Sequence, residues 1–331
     1  MMMFWAASAA LILNSAPLPG AGLSDGLALL GTKESPSGVA VQIHKENLFL
    51  AASSLVPTET SSAFCPSGSS YTVKVLARDD ITQLALIKVE EWPNELSRVF
   101  QVASEKAVAT TKLAAQLPSG IITGQLVSTE RTGVLMGSRR YVRLWEIRFE
   151  TTNQKLGGAP VFTVDGRLAG IMNATLEPYG EVTTQKLSLG GPQHFGPKGL
   201  TIGYALGPKV LSRVVDGFLS EERTPLHPTV GILFKKAEGG VELTAVTPGS
   251  AAARAGLLVG DVLSKLNNET IKDAYWLAAR LFESEIGESL SFQMRRETRV
   301  STVKVIVESL SDARINRELA PKRVTIHEPN R

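Results

Sequence analysis

Short apolar segments separated by turn residues occupy much of the first half of the chain, and this pattern restricts the fold more than any other feature. From residue 37 to about residue 175, segments rich in Val, Ile, Leu and Thr alternate with clusters of Gly, Pro, Ser and Asp. The clearest segments are 38–43, 71–76, 84–89 and 140–147. Many short strands with frequent turns are typical of barrels and sandwiches, so a mainly β domain is predicted.

The pattern then changes and indicates a second domain. Residues 175–200 contain several Gly and Pro residues without periodicity, which predicts a surface loop, and apolar residues at helical spacing predict a helix over 208–219. The later pattern is strand, turn, short helix, strand, longer helix and two strands. A chain of 331 residues is long enough to bury two cores. The predicted organisation is an export signal over 1–22, a β domain over 23–220, a linker over 221–228, a second domain over 229–308 and a charged tail over 309–331.

Composition excludes several classes of protein. The 35 basic and 32 acidic residues are nearly balanced and spread along the chain, so no nucleic-acid partner is expected. Cys65 is the one cysteine, which rules out an intrachain disulfide, and without a nearby His or second Cys it is expected to be a plain free thiol. No metal site and no cofactor are predicted.

The N-terminus resembles an export signal because an apolar run over 4–13 is followed by small and helix-breaking residues. No basic residue precedes Lys33, however, and a buried or misannotated N-terminus is the alternative. The run is too short to span a bilayer, which requires about 20 apolar residues. The expected location is therefore an exported one, periplasmic or extracellular, with no spanning membrane segment.

Three segments resemble the catalytic motifs of the HtrA-type trypsin-like serine proteases and occur in the family's order. They are FLAASSLV at 49–56, DDITQLALIKV at 79–89 and KLGGAPV at 155–161, against the family's ILTNNHVV, DPxTDLALLKI and GNSGGPL. Two further matches lie outside the catalytic motifs: VDGRLAGI at 164–171 and GLTIGYAL at 199–206. The resemblance covers about residues 37–308 and implies a trypsin-like double β-barrel followed by an α+β PDZ domain.

The resemblance places the three triad positions on residues that cannot perform the family's chemistry. The general base falls on Ser54, the orienting acid on Gln83 and the nucleophile on Gly157. The triad requires an imidazole to accept the hydroxyl proton and a carboxylate to orient it, so a serine, a glutamine and a glycine predict an inactive site. Asp79 and Asp80 are interpreted as turn residues before a strand.

Residual or relocated catalysis is not expected either. Lys155 and Ala159 replace family glycines around the nucleophile loop, and a β-carbon there disfavours the backbone angles of an oxyanion hole. The four histidines are not at a recognisable base position; they are His44, His194, His227 and His327.

The second domain resembles a bacterial-type PDZ domain through PGSAAARAGL at 248–257 and VGDVL at 259–263. Ser250 is a good helix N-cap and Gly256 a natural helix stop. PDZ domains add an extended chain end as a strand, and a loop of backbone amides receives its carboxylate. The helix over 274–282 is the expected opposite wall, although its leucines equally fit core packing. The predicted peptide-binding residues are Val230, Gly231, Ile232, Leu233, Phe234, Leu277 and Leu281.

The sequence thus predicts a non-catalytic protein that binds exposed protein C-termini or unfolded polypeptide. A serine endopeptidase with an unrecognised catalytic arrangement is the alternative. A third hypothesis is a pseudoprotease that assembles with an active HtrA-type protease and regulates it. Homo-oligomerisation is left open, because residues 23–36 are too short and unspecific to decide it.

Overall fold

The computed structural model describes residues 24–65, 68–104, 109–135, 140–150, 156–172, 174–175, 193–195 and 200–310. The predicted export signal and the tail beyond residue 310 lie outside this part of the chain. Two compact units divide between Pro225 and Leu226, and each is described by itself. Within the described residues, no helix is long and apolar enough to cross a membrane.

The first unit begins with six strands that close into a barrel in the order β1-β2-β3-β6-β5-β4. These strands are β1 (Leu27–Gly31), β2 (Pro36–His44), β3 (Leu48–Ala52), β4 (Thr60–Phe64), β5 (Ser70–Asp79) and β6 (Leu84–Val89). Every residue of β3 is buried, which explains its continuous apolar sequence. In the core, the ring of Phe49 meets that of Trp92 edge-on at 5.3 Å.

A second, ring-like sheet follows in the order β11-β10-β7-β8-β9-β14-β13, with an additional β11–β14 pairing. Its strands are β7 (Lys112–Leu117), β8 (Gly120–Leu135), β9 (Tyr141–Glu150), β10 (Pro160–Thr163), β11 (Leu168–Ile171), β12 (Ala174–Thr175), β13 (Gln193–Phe195) and β14 (Leu200–Leu206). Trp145, Ile147 and Phe149 of β9 are buried in its core. The short strand β13 lies within the predicted loop over 175–200 and pairs with β14. The surrounding Gly and Pro residues did not indicate a strand.

The helix predicted over 208–219 is confirmed as α1 (Pro208–Leu219), and its predicted apolar face is buried. The barrel and the sheet are joined by a buried amide on β2. The side chain of Gln42 donates to the Ser97 hydroxyl at 2.9 Å and accepts from the Arg98 amide at 3.1 Å. The backbone carbonyl of Gln42 also accepts from the Phe100 amide at 2.9 Å. These bonds fix the segment that leads from one sheet to the next.

The second unit is a small sheet in the order β16-β17-β18-β20-β21, with β19 beside β18 and a separate β15-β22 pair. Its elements are β15 (Pro228–Thr229), β16 (Ile232–Ala237), β17 (Gly240–Val246), α2 (Ala251–Arg254), β18 (Val262–Leu266), β19 (Glu269–Thr270), α3 (Ala274–Glu283), β20 (Ser289–Arg296), β21 (Arg299–Ile306) and β22 (Glu308–Ser309). The Ser250 hydroxyl caps α2 by accepting from the Ala253 amide at 3.3 Å. The prediction of a mainly β chain with barrel-like sheets and a terminal α+β unit is confirmed.

A buried carboxylate ties the second unit together. The Asp261 side chain accepts hydrogen bonds from Arg296 Nε at 2.7 Å, from Arg296 Nη2 at 2.9 Å and from the Leu258 amide at 2.8 Å. Burial acts to raise the pKa of Asp261, but the hydrogen bonds from Arg296 and Leu258 and the guanidinium charge outweigh it. The pKa of Asp261 therefore lies below its ordinary value.

We expect protonation of the Asp261 carboxylate at low pH to destabilise the second unit. A carboxyl whose pKa is lower in the folded than in the unfolded chain stabilises the fold above the unfolded value of about 3.9, and the contribution disappears as the pH falls. Because the Arg296 side chain is 40% exposed, Asp261→Asn should lower the free energy of unfolding of the second unit by only about 1–3 kcal/mol at pH 7. Hydrogen exchange of second-unit amides across pH measures this. The exposed Glu297→Gln is the control, and an Asp261→Asn variant with unchanged acid sensitivity would contradict the assignment.

Candidate functional site

The backbone brings the segments of the three predicted triad positions together in the first unit. The Ser53 amide donates to the Gln83 carbonyl at 2.8 Å, which joins the segment of Ser54 to the turn that contains Gln83. A Cβ placed on Gly158 would lie 2.7 Å from Leu55 Cδ1, so the loop of Gly157 packs directly on the same segment. The segments that contain Ser54, Gln83 and Gly157 therefore lie next to one another.

Ser54 lies in a short 3₁₀ helix, Ser53–Leu55, and is exposed. The guanidinium of Arg78 supports this segment, because Nη2 donates to the Val56 carbonyl at 2.6 Å and to the Thr58 carbonyl at 3.3 Å. Arg78 Nη1 also donates to the Ser53 carbonyl at 3.4 Å. One cation thus holds the three carbonyls that surround the predicted base position.

Gln83 closes a turn that is organised by Asp79. The buried Asp79 carboxylate accepts from the amides of Ile81 at 3.1 Å and Thr82 at 3.3 Å, and from the Thr82 hydroxyl. This agrees with the interpretation of Asp79 as a turn residue. Gln83 has a φ of 58°, and its Nε2 donates to the Asp80 carbonyl at 2.7 Å. Its amide group therefore forms a hydrogen bond within its own turn.

The segment before β10 is held by backbone hydrogen bonds to Met172, the residue after β11. The Gly158 amide donates to the Met172 carbonyl at 2.7 Å, and the Met172 amide donates to the Ala159 carbonyl at 2.9 Å. Gly158 has a φ of 78°, where a side chain would be strained. Gly157 is half-buried and Ala159 is buried. Lys155 lies outside the described residues, so the predicted loss of the oxyanion hole stays a prediction.

No described histidine lies in the triad segments. His44 ends β2, and its Nδ1 accepts from the Glu46 amide at 3.3 Å. His227 is buried in the second unit and stacks on Phe282 with ring centroids 5.6 Å apart. The side chains of His194 and His327 are not among those described. Within the described part of the chain, His, Cys, Asp and Glu form no cluster of three or more suited to a metal ion.

Gly231 is the centre of the predicted carboxylate loop in the second unit. It has a φ of 79°, and a Cβ placed on it would collide with the Ser250 side chain, whose Oγ would be 2.6 Å away. The carbonyls on the inner side of the loop are occupied, since Val230 accepts from the Ala252 amide at 3.0 Å and Gly231 accepts from the Thr247 amide at 2.8 Å. The backbone of this loop is therefore fixed in an unusual conformation that only glycine adopts without strain.

The strand that follows the loop is an edge of its sheet. Strand β16 pairs with β17 on one side, and no other described strand pairs with it. Ile232 is buried, Phe234 is partly buried and Leu233 is 38% exposed. The helix α3 packs beside β16, with Leu277 fully buried in the core and Leu281 partly buried against it. Ile232, Phe234, Leu277 and Leu281 thus contact one core, in which Leu277 is the most deeply enclosed, whereas Leu233 lies on the other face of β16.

Three supporting side chains were not found by reasoning from the sequence. Thr229 Oγ1 accepts from the Gly231 amide at 3.2 Å, and Arg78 supports the segment around Ser54. Glu308 accepts from the Ala251 amide at 3.0 Å and pairs with Arg254, which closes the N-terminus of α2. Glu308 is 57 residues from its amide partner, so no local spacing signals the contact.

Comparison with known proteins agrees with this architecture. Residues 228–307 match the family model described as PDZ domain. The periplasmic serine endoprotease DegP of Salmonella typhimurium is 24% identical over 263 residues, covering 75% of this chain and 51% of that protein. The serine protease Do-like HtrA of Lactococcus lactis subsp. cremoris is 24% identical over 267 residues, covering 75% of this chain and 64% of that protein.

The chain is similar to HtrA-type serine proteases over three quarters of its length. It spans about half to two thirds of the length of those curated relatives. Its fold is similar to that of the solved HtrA-type protease AlgW with a decapeptide, with a TM-score of 0.58, 18% identity and 84% of each chain covered. A serine endoprotease from Yersinia pestis gives a TM-score of 0.52 and 16% identity, covering 91% of this chain and 98% of that one.

Proposed function

We propose that this HtrA-like chain is a non-catalytic binding protein whose PDZ domain captures exposed protein C-termini, including the ends of unfolded polypeptides. The observation that carries the proposal is the Gly231 loop at the start of the edge strand β16. An open edge supplies main-chain hydrogen bonds to an added strand, and loop amides before it supply donors for a terminal carboxylate, which would replace the Thr229 hydroxyl as the acceptor of the Gly231 amide. The solved AlgW structure, similar in fold, contains a decapeptide, which supports a peptide ligand for the PDZ unit.

The residue types at the three triad positions support the absence of catalysis. Ser54 has no group that is basic at neutral pH, Gln83 carries no charge, and Gly157 has no side chain to attack a carbonyl. The hydrogen bond from Gln83 to the Asp80 carbonyl also directs that side chain into its own turn. The first unit would then act as a scaffold or as a surface for a partner.

The test compares free and amidated peptides. A library of peptides with free, apolar C-termini is titrated against the purified chain, and the best binder is then amidated. Each hydrogen bond to a carboxylate is worth about 1.5–3 kcal/mol, so amidation should raise the dissociation constant about tenfold or more. Equal binding of the acid and the amide, measured by calorimetry, would show that the groove does not recognise a carboxylate.

We also propose that the protein is exported. The apolar run over 4–13 and the periplasmic location given for the DegP relative support this. The mature chain should then begin within about residues 16–26, which N-terminal sequencing of exported material measures. An intact Met1 on cytoplasmic material would contradict the proposal.

A further inference from the structure

The groove face of β16 changes from apolar to basic along the strand. Successive residues of a strand point to opposite faces, so Ile232, Phe234 and Lys236 share one face. The register with β17 shows that the single irregularity skips a residue of β17, which leaves this alternation in β16 intact. Ile232 and Phe234 pack with the core of the unit, whereas Lys236 is exposed.

The C-terminal end of α3 lies at the same end of this face as the Gly231 loop. Phe282, near the C-terminal end of α3, stacks on His227, and α3 also packs on β15, immediately before the Gly231 loop. The C-terminal end of α3 therefore lies beside the loop.

Lys236 has no carboxylate partner among the described residues, in contrast to its neighbour on the other face. Lys235 faces Glu242 across the strand pair, and its ammonium lies 3.2 Å from the Glu242 carboxylate. Glu238, two residues after Lys236, is exposed in the turn after β16, and Asp273 caps α3 by accepting from the Trp276 amide at 2.7 Å. Lys236 is thus the charged side chain on the groove face of the strand.

We propose that the groove selects C-terminal peptides with an acidic residue four positions before an apolar last residue. This rests on the proposed function. A peptide whose carboxylate lies in the Gly231 loop must run antiparallel to β16, and side chains directly opposite each other in such a pair lie on the same face. If the last residue lies opposite Ile232, the residue two before it lies opposite Phe234. The residue four before it then lies opposite Lys236, about 13 Å from the loop.

The effect is that of an exposed ion pair. Such pairs contribute about 0.2–1 kcal/mol, which corresponds to a preference of about 1.4- to fivefold for Glu over Gln at that position. Screening should reduce the preference as the salt concentration rises, because the charges are exposed to solvent.

The experiment measures dissociation constants of the full chain for three peptides that differ only in Glu, Gln or Lys at the fourth position before the end. Lys236→Gln should abolish the Glu preference, and Lys236→Glu should reverse it in favour of Lys. Lys235→Gln is the matched control and should keep the wild-type order, because its side chain lies on the other face. Circular dichroism checks that all variants are folded.

The outcomes separate the inference from the function on which it rests. The inference is wrong if all three peptides bind with equal affinity, or if Lys236→Gln keeps the preference for Glu. Either outcome leaves peptide binding in place. Failure of every free-acid peptide to bind would overturn the proposed function, and the inference with it.

Discussion

Replacement of Gly231 by valine is expected to weaken binding of a free C-terminal peptide by about tenfold or more. A valine at a φ of 79° is strained, and its Cβ would collide with the Ser250 side chain, so the loop must move. The amides that face the carboxylate would then lose their alignment, and each lost bond corresponds to about 1.5–3 kcal/mol. Titration calorimetry with the free-acid peptide measures the change.

Gly239 offers a matched control for backbone strain. It has a φ of 76° in the turn between β16 and β17, and a Cβ there would meet nothing within 4 Å. Gly239→Val therefore carries a similar conformational cost of about 1–2 kcal/mol without altering the loop. Stability of both variants is measured by chemical denaturation. If both bind peptide as well as the unmodified chain does, Gly231 is a structural glycine and the carboxylate loop is assigned wrongly.

The sequence predicted those parts of the molecule that depend on local pattern. The strand β6 and the helix α1 have the predicted bounds, because a continuous apolar run and a helical spacing of apolar residues are local signals. The cap at Ser250 was predicted for the same reason, since it needs only a hydroxyl three residues before an amide.

The parts that were missed depend on contacts between distant segments or on weak local signals. The support of the Ser54 segment by Arg78 joins residues more than 20 positions apart, and the Glu308 contact with α2 joins residues 57 apart. The strand β13 has three residues and is defined by its pairing with β14 rather than by its composition. Strand alternation alone could have placed Lys236 on the groove face. Only the structure shows that Glu242 pairs with Lys235 and not with Lys236.

The unmodified chain is expected to give no covalent labelling with a fluorophosphonate probe and no cleavage of unfolded casein. Such a probe needs an activated serine, and Gly157 supplies no hydroxyl at the position where the family's nucleophile is expected. The single replacements Ser54→His, Gln83→Asp and Gly157→Ser should also give no labelling, because the members of a triad act as a unit. An active HtrA-type protease in the same assay serves as the positive control for the probe.

The backbone around these positions explains why one replacement should not restore activity. A serine at residue 157 would still face Ser54 rather than an imidazole, and a histidine at residue 54 would lack a carboxylate to orient it. The turn of Gln83 is fixed by the Asp79 carboxylate, and a new aspartate at residue 83 would have no imidazole to orient. Labelling of any serine in the unmodified chain, abolished when that serine is replaced, would instead establish a relocated catalytic arrangement and contradict the proposal that the first unit is inactive.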